Sequence, residues 1–257
     1  MSDLPVYVWV LVLIGMLGLP AIMATMLYRG AIVAGLARRT ATAVVTLTAA
    51  GWVAVVLASA LLATAGAYRQ NPTAVRPWIG VALLAVLLAT FLATRIPVLS
   101  RILAAPGTVA RLTLPHTVRV VGGVFLVVLA LGRLPALFAL PAGLGDLAVG
   151  LTAPFVAARL RRSTGHRGAV WFHALGIVDL VVAVGIGFLG GLGPARPVQV
   201  TPSTEAIGLL PLVLIPTTAV PVLLALHILS LRRLRRAARP VADVATRLHP
   251  AGVGTGH

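Results

Sequence analysis

Five ionisable residues stand inside otherwise apolar stretches of this 257-residue chain: Arg133, Asp146, His173, Asp179 and His227. Carboxylates and imidazoles can carry protons or cations, and an arginine can neutralise a buried carboxylate or hold an anion. Arg133 lies seven residues before Leu140 and Asp146 six residues after it. A turn near Leu140 would place the two at one depth of an antiparallel hairpin, at ~1.5 Å of rise per residue. The spacing therefore predicts an Arg133–Asp146 ion pair, either a structural strut or a site for an anionic or protonatable substrate.

Asp179 is deeper in its stretch, with no basic residue expected at its level. A lone carboxyl there favours its protonated form unless a cation or a water-filled cavity stabilises the charge. That makes Asp179 the candidate for proton or cation coupling, against the plainer role of a hydrogen-bonded packing group. His173 and His227 sit about one turn inside the same boundary of neighbouring stretches, where their rings can meet. Interfacial polar contacts are the plain reading; a proton relay or bis-histidine haem ligation is the sharper one. Two histidines are too few for a catalytic zinc site, and His116 reads as a boundary residue, so no metal is expected. Pro211, Pro216 and Pro221 remove backbone donors from the last stretch and mark a helix break that is either packed against protein or lines a cavity.

Other chemistries are excluded by what the sequence lacks. Cysteine is absent, which removes disulfides, thiolate nucleophiles and cysteine-bound metals. Without lysine there is no retinal Schiff base and no phosphate-loop lysine. No nucleophile elbow or paired metal-binding histidines at helical spacing occur either.

The elements that must position these residues are membrane helices. Mean hydropathy is +1.04, with 59% hydrophobic and 10% charged residues, more apolar surface than a soluble domain of this size can hide. Seven spans are expected, at about Pro5 to Tyr28, Ala41 to Ala67, Pro77 to Thr94, Thr117 to Leu140, Ala142 to Arg159, Gly168 to Gly190 and Ile207 to Leu231. All but four of the 21 basic residues fall on alternate loops and the C-terminal end, the exceptions being Arg69, Arg76, Arg133 and Arg196. The positive-inside rule then puts the N-terminus outside and the C-terminus in the cytoplasm. The net charge of +16 reads as membrane orientation, not as nucleic-acid binding.

Residues 96–114 form an amphipathic interfacial segment interrupted at Pro106-Gly107. Trp52, in the middle of the second span, reads as a packing residue. The organisation is one all-α, seven-helix domain over 1–239 and a disordered cytoplasmic tail over 240–257.

Three stretches carry a family resemblance: Pro141-Ala-Gly-Leu-Gly-Asp146 through Pro154, Gly176-Ile-Val-Asp179 through Ala183, and Leu210-Pro-Leu-Val-Leu-Ile-Pro216 through His227. Together they resemble a family of uncharacterised bacterial, actinobacterial-type, multipass membrane proteins, over roughly the C-terminal half. The resemblance implies a bacterial cytoplasmic membrane and names no reaction. The residues themselves favour a small-solute or proton- or ion-coupled transporter with a polar site between the fourth and seventh helices. An intramembrane enzyme or haem protein is the second reading, and a non-catalytic subunit of a membrane complex the third. No cofactor is expected beyond that haem alternative. Expected partners are the bilayer, a small molecule or proton, and a membrane protein or second copy.

Overall fold

The computed structural model describes residues 4–70, 77–191 and 200–248, with side chains through Ala237. The described residues form helices and turns without strands. In chain order these are α1 (Val6–Val33), α2 (Arg38–Thr64), α3 (Trp78–Ala93), α4 (Pro97–Ala104), α5 (Thr108–Thr113), a 3-10 stretch Leu114–Gly123, α6 (Val124–Ala130), α7 (Ala136–Arg161), α8 (His166–Leu189) and α9 (Val220–Leu248). A 3-10 turn, Thr204–Gly208, and a π turn, Ile215–Ala219, lead into α9.

Six segments among the described residues are long and apolar enough to cross a membrane, and a seventh is added if α3 and α4 count as one bent span. α4 leaves α3 at 79°, and Gly107 then turns the chain in the left-handed region, at φ 71°. Arg111 fastens this turn by donating to the Pro106 carbonyl at 2.8 Å and to the Thr108 hydroxyl at 2.8 Å. Large apolar side chains such as Leu17, Leu47, Leu61 and Phe155 point outward, as lipid-facing surfaces require.

The fourth and fifth spans depart from the sequence reading. The fourth runs from Thr108 to Ala130 and the fifth from Ala136 to Arg161, so the hairpin turn comes before Leu140, around Gly132. That residue takes φ 68°, and Pro135 caps the start of α7. Glycine in a left-handed turn stops one helix and proline starts the next; this local chemistry overrides the hydropathy of Leu134 to Leu140. In consequence Arg133 lies exposed in the turn, while Arg119, counted with the loop at the start of the expected fourth span, is carried into the bundle.

The last span also begins differently. Pro211 sits in a turn, Pro216 in the π turn and Pro221 in the first turn of α9. Pro211 precedes the last helical span and Pro216 falls in its first turn, where a missing N–H costs little; Pro221 lies inside the span, where the winding changes from π to α. The irregular backbone is shielded: Leu212, Val213, Leu214, Thr217 and Thr218 are all buried, the condition for non-helical backbone at membrane depth. α9 continues to Leu248, into the segment expected to be disordered; residues 249–257 lie outside the described ones.

Pro20 illustrates how such a gap is closed. Within α1 it cannot donate to the carbonyl of Met16, and Trp52 Nε1 from α2 donates to that oxygen at 2.9 Å instead. Trp52 therefore secures a helix pair.

Candidate ion and histidine site

A stripe of residues spaced by three builds the site's first wall: Thr113, His116, Arg119 and Gly122. At three residues per turn a 3-10 helix advances about 120° per residue, so i, i+3 and i+6 eclipse. In an α-helix, at about 100° per residue, Thr113 and Gly122 would face opposite ways. The 3-10 geometry of Leu114–Gly123 keeps the whole stripe turned inward, and all four residues are buried.

Arg119 is the hub. Its Nε donates to Asp146 Oδ1 of α7 at 2.6 Å, and its Nη2 donates to Asp179 Oδ2 of α8. Nη1 reaches His227 Nε2 of α9 at 3.3 Å and the Gly176 carbonyl at 3.5 Å. Two carboxylates and one guanidinium thus converge from three segments distant in sequence. The arginine side chain is 1% exposed, against 13% and 19% for the aspartates; the acids can be approached and the base cannot.

The hydrogen bonds beyond Arg119 assign a single proton pattern. A guanidinium only donates, so His227 Nε2 accepts and its Nδ1 carries the hydrogen. That Nδ1 donates to His173 Nδ1 at 2.9 Å, leaving the hydrogen of His173 on Nε2, which donates to the Thr113 hydroxyl oxygen at 3.3 Å. Thr113 in turn donates to the Val109 carbonyl at 2.8 Å. The chain is complete and unidirectional. His116 stands outside it: stacked on His227 with ring centroids 3.6 Å apart, it has neither nitrogen hydrogen-bonded among the described residues. Phe172 closes the cluster edge-on to His116 and His173.

Glycines make room for each inward group. A Cβ on Gly122 would collide with the Asp146 carboxyl, one on Gly145 with that of Asp179, and one on Gly176 with the His227 ring. Each polar side chain occupies a slot on the segment before it. Such close approach through small residues is what holds membrane helices together.

A cavity reaches the acids from the end of the bundle where α2 and α8 stop and α3 begins. Gln70, Thr204 and Glu205 line it at that end, Phe138 and Ala183 further in, and Asp146 and Asp179 at the site itself. The histidines lie on the other side of Arg119.

Four of the five ionisable residues singled out from the sequence are therefore brought together, and the arginine among them is not. Asp146 pairs with Arg119 in place of Arg133, and Asp179 shares the same partner and is not alone. His116 is inside the cluster, not at a boundary, so three imidazoles meet where two were expected. His173 and His227 meet directly, their Nδ1 atoms 2.9 Å apart. Of the three prolines, Pro216 borders the acid-lined cavity. The signal for Arg119 and His116 was present as the three-residue spacing; its meaning depends on a 3-10 stretch of unusual length.

The family described as a domain of unknown function (DUF8737) matches residues 76–235, a range that takes in every residue of the site. No curated protein and no solved structure matches the chain.

Proposed function

The chain thus belongs to a family whose description names no activity, and on that premise we propose that it is an ion-coupled membrane carrier for a small solute. The observation that carries this reading is the charge count around Arg119. Two carboxylates share one guanidinium, so full ionisation leaves one negative charge for a proton or another cation to offset. Lipid-shielded surroundings penalise such a residual charge strongly. A cation arriving through the cavity neutralises one carboxylate and frees one arm of the fork-shaped guanidinium, which can then hold an anionic group of the solute. The irregular segment before α9 borders the same cavity through Ile215 and Pro216, and unwound backbone beside a midplane site is a device of carriers. The arginine-rich loops favour an orientation with the cavity opening outward, and a bacterial cytoplasmic membrane is the home that goes with this reading.

Reconstituted vesicles with a trapped pH indicator provide the test. Under an imposed gradient, wild-type protein is expected to move protons when small carboxylates or phosphate esters are added; Asp179→Asn is expected to abolish this while staying monodisperse and folded. Silence of the wild type under both proton and sodium gradients would overturn the reading, as would normal transport by the variant.

A further inference from the structure

We infer that His116, His173 and His227 form a binding site for one divalent transition-metal ion of the zinc class. This goes beyond the carrier reading, since the site can hold its ion whether or not the protein moves a solute.

The donor set fits the ion. Each ring offers a nitrogen, and these atoms all lie within 4.8 Å of one another in a fully buried group. Imidazole suits zinc, copper, nickel and cobalt, and three protein ligands with a fourth position open is the composition of a reactive zinc site. Metal–nitrogen bonds of about 2.0–2.1 Å bring tetrahedral ligands to roughly 3.4 Å apart. Reaching that spacing requires the His173–His227 pair to open from 2.9 Å and His116 to tilt off His227.

The independent observation is His116 itself. It is fully buried, with both nitrogens unpaired among the described residues. Burying an imidazole without hydrogen bonds is costly, and phenylalanine would fill the stack without that cost. An unpartnered, fully buried imidazole beside two others is accounted for by an ion between them. Ser230, three residues after His227 on α9, also has a buried hydroxyl without a partner.

The surroundings suit coordination. With His173 ligating through Nδ1, its Nε2–H already donates to Thr113, the outer-shell contact that fixes a metal-bound ring. For His227 to ligate through Nδ1, its proton moves to Nε2 and Arg119 gives up the 3.3 Å bond there. No proton is lost in that exchange, and Arg119 keeps both carboxylates. The Arg119 guanidinium beside the histidines is held by Asp146 and Asp179, and the three groups sum to one negative charge when ionised, which offsets its repulsion of a cation.

Full-length protein purified without a histidine tag, stripped with chelator and dialysed against Zn²⁺ or Co²⁺, is expected to retain one ion per chain by elemental analysis. Co²⁺ should give the intense visible bands of a tetrahedral site. His116→Ala, which removes no hydrogen bond seen here, should bind at least tenfold more weakly, and Zn²⁺ should raise the Tm of the wild type and not of this variant. The double variant His249→Ala/His257→Ala should bind as the wild type does. Substoichiometric metal in the wild type, unchanged affinity in His116→Ala at retained fold, or loss of binding in the tail variant would each overturn the inference. Metal binding that persists in Asp179→Asn while transport is lost, or transport without metal, separates this site from the carrier.

Discussion

Arg119 and Arg133 have the same side chain and opposite energetic positions. Arg119 is buried between two carboxylates, so Arg119→Gln leaves two uncompensated acids inside the bundle, a loss of about 3–5 kcal/mol for a broken buried pair. Arg133 is exposed in the turn after α6, and Arg133→Gln should change stability by no more than about 0.5 kcal/mol. Thermal unfolding of the two variants in one detergent checks the contrast, and equal losses would return Asp146 to its expected partner. Asp146, Asp179, His173 and His227 were legible in the sequence because an ionisable group inside an apolar stretch is anomalous whatever the helix boundaries; His116, next to Pro115, was not. Nor was the partner of the acids. Arg119 follows Arg111 and Pro115 closely, and a cluster of arginine and proline resembles a loop until Gly132 and Pro135 are given their weight as stop and start signals.

At the level of elements, two features set the site's geometry: the 3-10 stretch and the glycine slots. The existence of six or seven helical segments follows from hydropathy, but hydropathy is blind to whether a helix winds at 3.0 or 3.6 residues per turn, and the Thr113-to-Gly122 stripe depends on that difference. Hydropathy is equally silent on which polar group each glycine of α7 and α8 admits. Gly145→Ala tests the slot. Its Cβ would collide with the Asp179 carboxyl, so overpacking should cost about 1–3 kcal/mol and swing that carboxyl away from Arg119. Reduced Tm together with impaired ion coupling is expected. Gly168→Ala in α8, where the added methyl meets nothing within 4 Å, should leave both unchanged.

For the molecule as a whole, the odd number of crossings rests on α3, which at 16 residues is shorter than the ~20 that normally span the hydrocarbon core. Reporter fusions after Val33 and Ala237 are expected to read as cytoplasmic, and a fusion at the N-terminus as external. External activity from the Ala237 fusion would make α3 re-entrant and remove the seventh crossing. The ladder of slots has a consequence for biosynthesis. Asp146 enters the 3-10 stretch, Asp179 enters α7 and His227 enters α8, so the receiving notch always precedes its occupant along the chain. Spans released from the insertion machinery in N-to-C order each bring an acid or imidazole to a neighbour that is already shaped for it. Late-arriving polar cargo can thus leave the lipid as soon as its helix docks, and the bundle can close one crossing at a time.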